Sequence, residues 1–227
     1  MHCRKLIAFV FIIILWSSAA NAQRFKAGVS GGMLASDVIG LDLVDGDTDF
    51  NKAGFTFGGL VNTNLSPKNS LQMEIYFIQK GSYQPPDSTY SYYYKISLDY
   101  IEVALLYKHR IPVVVNQKPL DRVELEAGPS FGERLRISEE GYSAGNPGAN
   151  YESPYTSSDF GINFGISYFF SENFYFNFRY FSSIIPVAKH SVRFNDYFFS
   201  TFNNGDNVAL MFTLKYLFGK EEQKSEK

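Results

Sequence analysis

Apolar and polar residues alternate with a period of two in eight successive segments of this chain. No segment beyond the first 22 residues repeats its apolar positions at helical spacing. In a strand such alternation puts one residue set on each face. Residues 158–170 are the clearest case: Phe160, Ile162, Phe164, Ile166, Tyr168 and Phe170 oppose Asp159, Gly161, Asn163, Gly165 and Ser167. The eighth segment opposes Val208, Leu210, Phe212, Leu214, Tyr216 and Phe218 to Asn207, Ala209, Met211, Thr213 and Lys215. The seventh contains F-Y-F-N-F-R-Y-F at 174–181, with Phe174, Phe176, Phe178 and Tyr180 on one face and Tyr175, Asn177 and Arg179 on the other. The other five fall at 24–34, 53–65, 70–82, 98–111 and 122–137; the last sets Val123, Leu125, Ala127, Phe131 and Leu135 against Glu124, Glu126, Arg134 and Arg136, among others. The aromatic share, 17% with 22 Phe and 16 Tyr, favours pleated strands and agrees with an all-β chain.

The links between segments also alternate. Those at 66–69, about 112–121 and 171–173 are the shorter set, and those at about 35–52, 83–97, 138–157 and 182–206 the longer set. An up-and-down barrel gathers each set at one end. An eight-stranded barrel is only wide enough to be filled by side chains, and nearly every apolar face here carries Phe or Tyr. Those faces are therefore expected outward and the faces rich in Gly, Ser, Thr, Asn and charge inward, unlike a soluble barrel such as a lipocalin. In water the outward rings would form an apolar belt far larger than soluble monomers expose. In lipid that belt is required, and only helices and closed barrels satisfy all backbone polar groups there. The expectation is an all-β, eight-stranded antiparallel up-and-down transmembrane β-barrel, with a two-sheet sandwich as the rival.

Residues 1–22 have the layout of a cleaved signal peptide: Arg4 and Lys5, an apolar run from Leu6 to Trp16, then S-S-A-A-N-A before Gln23. The run is short of the roughly 20 residues a helix needs to cross a bilayer. Removing it leaves no cysteine, since Cys3 is the only one, and leaves 19 basic residues against 23 acidic, a balance that does not suggest nucleic acid. The barrel is expected over 23–218, followed by a charged periplasmic tail at 219–227. The long links are then extracellular loops and both termini periplasmic.

The stretches L-Q-M-E-I-Y-F-I-Q-K-G at 71–81, Y-I-E-V-A-L-L-Y-K at 100–108, L-E-A-G-P-S-F-G at 125–132 and S-D-F-G-I-N-F-G at 158–165 resemble the outer-membrane β-barrel domain family of Bacteroidetes, often labelled PorT-like. The resemblance covers the mature chain in order. It implies a membrane barrel and, for members that are PorT proper, help with type IX protein secretion across the outer membrane. Outer-membrane barrels commonly end on a terminal Phe; here Phe218 is followed by G-K-E-E-Q-K-S-E-K.

Four constellations could carry chemistry. Glu74, Lys80, Glu102, Lys108, Arg110, Glu124, Glu126, Arg134, Arg179 and Lys215 fall on the inward set, where opposed charges would plug the lumen with ion pairs. Asp45, Asp47 and Asp49 have spacing that could share calcium, but Phe50 and Thr56 break the EF-hand pattern, leaving a solvated acidic loop as the simpler reading. Tyr90, Tyr92, Tyr93 and Tyr94, with Tyr197, Phe198 and Phe199, make aromatic loop tips suited either to binding partners or to extending the girdle. His190 beside Ser191 would be the place for a lipid A-modifying activity, although adjacent strand residues face opposite ways; His109 reads as interfacial. The favoured expectation is a non-enzymatic barrel, without cofactor, that holds surface loops for outer-membrane partners.

Overall fold

A computed structural model describes residues 25–39, 50–86, 93–115, 118–141, 155–187 and 205–219, with backbone alone at 94, 113–115, 118–121 and 141. The expected signal segment, the Asp45 to Asp49 cluster, Tyr90, Tyr92, His190, Tyr197, Phe198, Phe199 and all of the tail after Gly219 lie outside the described residues.

The eight strands are β1 (Phe25–Val38), β2 (Lys52–Asn64), β3 (Asn69–Gln84), β4 (Tyr94–Val115), β5 (Lys118–Gly141), β6 (Ser158–Phe169), β7 (Phe174–Ser183) and β8 (Asn207–Leu217). Each pairs antiparallel with its neighbours in sequence, and β8 returns to β1, from Gly28 opposite Leu217 to Val38 opposite Asn207. The sheet is thus a closed barrel with no free lateral edge along its girth.

Two tight turns join strands at one end. In S-P-K-N the Asn69 carbonyl accepts from the Leu65 and Ser66 amides at 2.9 and 3.0 Å, and the Ser66 hydroxyl oxygen accepts from the Asn69 amide. The S-E-N turn repeats this: the Phe174 carbonyl accepts from Phe170 and Ser171, and the Ser171 hydroxyl oxygen accepts from the Phe174 amide.

Three sequence expectations are corrected. The link placed at about 112–121 is mostly strand, because β4 continues to Val115 and β5 starts at Lys118, with Val115 opposite Lys118. At the other end β3, β4 and β5 run into the segments read as long loops, pairing Gln84 with Tyr94 and Tyr94 with Gly141. These three strands stand taller than the rest of the wall. Finally, Arg136, read as inward, is exposed: a β-bulge at Leu135 lets Tyr100 pair with Arg134 while Asp99 pairs with Arg136. One extra residue reverses the alternation of everything beyond it.

That reversal matches a change in surroundings. Along the belt the outward side chains are apolar, including Met33, Phe55, Ile75, Val103, Phe131, Phe164 and Phe212, all exposed. Phe57 and Phe77 stack across β2 and β3 with centroids 5.4 Å apart. Beyond Ile101 the pattern inverts: Lys95, Ser97, Asp99, Arg136, Ser138 and Glu140 face out, while Ile96, Leu98 and Tyr100 are wholly buried and Ile137 packs against them. The tall part of the wall is therefore patterned as a water-facing sheet over an apolar interior, and the inversion marks the edge of the belt.

The lumen follows the same division. Its upper part is an apolar core of Leu34, Val38, Ile78, Leu98, Phe181 and Met211, among others, with Tyr155 and Val187 folded in from outside the strands. The sequence expectation of inward faces rich in small, polar and charged residues does not include this apolar cluster. Inward rings also occur lower down, where Phe169 and Tyr175 stack at 4.5 Å.

Candidate functional site: the charged lumen and the outer mouth

Below the apolar core, the lumen holds charged side chains that are buried from solvent, except Arg110, which is partly exposed at the short-turn end. Arg179 projects inward from the middle of β7, the strand written F-Y-F-N-F-R-Y-F, and its position in the alternation dictates that direction. Its Nη1 and Nη2 donate to Glu74 Oε2 and Oε1 at 3.0 and 2.8 Å, and its Nε donates to Glu126 Oε1 at 2.7 Å. Lys215 on β8 donates to the same Glu74 Oε1 at 2.5 Å. A planar guanidinium takes one carboxylate with its two-pronged edge and the second with Nε.

Toward the short-turn end, Glu124 receives Lys108 Nζ at 3.0 Å and the Nε and Nη2 of Arg110 at 3.0 and 2.8 Å. Lys108 also sits 4.5 Å from the centroid of the Tyr175 ring. Toward the apolar core, Lys80 Nζ lies 2.7 Å from Glu102 and 3.0 Å from Asp159, with the Phe181 ring centroid at 3.2 Å. Tyr76 donates to Glu102 at 2.6 Å, and Ser183 and Asn207 donate to Asp159 at 2.6 and 2.8 Å.

Nine of the ten charged residues singled out in the sequence lie in these three clusters. Arg134 sits apart, donating to the Tyr155 carbonyl at 3.1 Å beside the mouth. Asp159 completes the network and was not counted, although its place opposite Phe160 carried the signal. With it, Glu74, Glu102, Glu124, Glu126 and Asp159 face Lys80, Lys108, Arg110, Arg179 and Lys215, so the network is formally neutral. Gln72 links the lower clusters, accepting from Tyr175 and Lys108 and donating to Glu74. Periodicity places such residues inside, but only the register shows who meets whom: Arg179 and Glu74 are 105 positions apart.

The aromatic loop candidates are only partly visible. Tyr93 is exposed just before β4, and Tyr94 is the first residue of β4. His109 faces outward at the short-turn end, with Nδ1 2.7 Å from Asn69 Oδ1, which also accepts from Tyr107. Among the described residues no group of three or more His, Cys, Asp or Glu is arranged to hold a metal ion.

The outer face of the tall wall carries a polar cleft of about 190 Å³ where Lys52, Lys95, Asp99, Arg136 and Glu140 converge. Burial and the neighbouring Lys95 lower the Lys52 amine from its usual 10.5 to about 8, against the opposing pull of Asp99 and Glu140. No sequence argument found this cleft, because the bulge that turns Arg136 outward has no signature in the alternation.

A closed barrel with rings outside and paired charges inside defines a transmembrane β-barrel of the outer-membrane class. Residues 18–189 match the family model described as outer membrane protein beta-barrel domain, and the chain belongs to that family. Solved structures with similar folds include the attachment invasion locus protein Ail of Yersinia pestis, in complex with the heparin analogue sucrose octasulfate, at 14% identity and TM-score 0.44, covering 86% of this chain and 99% of that one. Neisserial surface protein A is similar at 13% identity and TM-score 0.47, covering 86% and 97%. OprG of Pseudomonas aeruginosa follows at 12% identity and TM-score 0.38, covering 86% and 96%. Comparison with curated proteins finds no sequence match.

Proposed function

We propose that this outer-membrane barrel is a non-enzymatic anchor: a closed wall that holds its long loops at the cell surface for partner proteins, with both termini in the periplasm. The observation that carries this reading is the filling of the lumen. Arg179, Lys80, Lys108 and Lys215 are each almost wholly buried and each is engaged by a carboxylate. A permeation path would need these charges hydrated or displaced, and breaking a buried pair costs several kcal/mol. A filled wall of this kind suits support of what stands above it. Removing residues 85–93 and 184–206 should abolish partner capture on whole cells while heat-modifiable gel mobility shows the barrel still folded; capture retained by the shortened protein counts against the anchor.

A second reading, support of type IX secretion, draws on the resemblance of the 71–81, 100–108, 125–132 and 158–165 stretches to PorT-like barrels. Under it, cells lacking the gene accumulate secretion cargo in the periplasm. Unchanged secreted and periplasmic proteomes exclude it.

A further inference from the structure

The cleft on the outer face of β3, β4 and β5 is built from three cross-strand rows. Gln79, Asp99 and Arg136 form the row nearest the belt, Ser97 and Ser138 the next, and Lys95 and Glu140 the outermost. Lys52 reaches in from the start of β2. These side chains lie outside the barrel, because the residues between them, Ile96, Leu98 and Ile137, are packed into its interior.

The position of this cleft along the wall limits what it can meet. Asp99 is two residues beyond Ile101, the last exposed apolar side chain of the belt on β4. At about 3.3 Å per residue that is roughly 7 Å along the strand, and less along the membrane normal because strands tilt. The polar layer of a bilayer adds roughly 5–8 Å on each side of the hydrocarbon. The row of Asp99 and Arg136 is therefore level with the headgroups.

The donors there are unspent. Arg136 is exposed, and among the described residues its guanidinium has no hydrogen-bond or ion-pair partner. Lys95 reaches Glu140 only at 3.7 Å, in a solvent-exposed pair of the kind worth little. Among the described residues, Lys52 Nζ makes one long contact, 3.4 Å to the Ala53 carbonyl. Three cations face one small volume, with the Ser97 and Ser138 hydroxyls and the Asp99 and Glu140 carboxylates at its walls. The cations suit the oxygens of a phosphate monoester, with Arg136 offering a two-pronged contact; the hydroxyls and carboxylates suit sugar hydroxyls. By liquid volume the cleft has room for about six waters.

We propose that this cleft binds a phosphorylated saccharide headgroup, that of an acylated glycolipid in the leaflet at the long-loop end, with Arg136 and Lys95 holding the phosphate. The proposal rests on the reading above that the long-loop end faces the cell exterior. Belt and cleft are continuous on the same wall, so acyl chains lying on Val103, Leu105 and Phe131 place a headgroup at Arg136.

The test titrates the purified barrel, in neutral detergent, with a bis-phosphorylated acylated disaccharide, its dephosphorylated form, the deacylated phosphosaccharide and inorganic phosphate. The acylated phosphorylated probe should bind best. The double variant Arg136→Gln, Lys95→Gln should weaken it by about tenfold or more, the loss of one charge-assisted bidentate contact. Lys68→Gln, in the turn at the opposite end, should leave binding unchanged. Equal binding of the deacylated probe, still lost in the double variant, assigns the same site to a free sugar phosphate. Unchanged affinity in the double variant, or equal affinity for the dephosphorylated probe, overturns the proposal. Orientation is tested separately: Ser66→Cys, in the β2–β3 turn, should resist a membrane-impermeant thiol reagent on intact cells. Labelling there overturns the orientation and leaves the detergent result standing.

Discussion

Arg179 is the residue on which the lumen turns. It holds Glu74 through two nitrogens and Glu126 through a third, and all three side chains are buried. Arg179→Met removes the cation and leaves Glu126 without its 2.7 Å donor and Glu74 with Lys215 and the Gln72 amide. The expected cost is about 3–5 kcal/mol of folding stability, read as a lowered urea midpoint in detergent; adding Glu126→Gln, which removes the carboxylate left without its donor, should recover part of it. A loss under about 1 kcal/mol would mean that the network contributes little. Lys52, above the belt, makes the opposite kind of prediction. Its amine is lowered to about 8, so between about 8 and 10.5 the unfolded chain binds more protons than the folded one, and stability rises with pH across that window. Below about 8 both states are charged and the burial penalty is fully present. Lys52→Met should flatten that rise in a pH series of unfolding midpoints; identical profiles would contradict the assignment.

At the scale of the element, β5 is the strand that departs from strict alternation. Its bulge lets one strand serve two solvents: Leu125 and Phe131 face the belt, while past Leu135 the apolar Ile137 turns inward and Arg136 turns out. Deleting Leu135 should remove the bulge while leaving Arg136 outward and Ile137 inward, because Asp99 and Tyr100 then face Arg136 and Arg134 with no extra residue between them. Protection of the tall part of β4 and β5 from proteolysis should equal that of the unaltered chain; rapid proteolysis confined to that part, with the belt still protected, would show that Leu135 is not the extra residue. The same strand shows what a sequence conveys. Period-two patterning located all eight strands and placed Glu74, Lys108 and Arg179 on the inward face, because the pleat makes direction a local property. Where strands ended was less visible, since residues 94–97 and 138–141 lie beyond the belt and lose its aromatic pattern. Partners across the lumen depend on register and closure, and the cleft depends on the bulge; neither is written in any one segment.

For the molecule as a whole, three features act together: a closed wall, a belt of rings, and an interior filled from the Arg110 cluster through Glu74 and Lys80 to the apolar core under Tyr155 and Val187. Gly161 shows how closely that interior is fitted, since any side chain there would run into the Phe181 ring that covers Lys80. On the proposed anchor reading, such a molecule holds the membrane and passes no ions. Reconstitution into a planar bilayer, with insertion verified by heat-modifiable mobility, tests this most directly. The filled lumen predicts a flat current trace across applied voltage in molar salt; stepwise, reproducible conductance that follows the amount of inserted protein would contradict it.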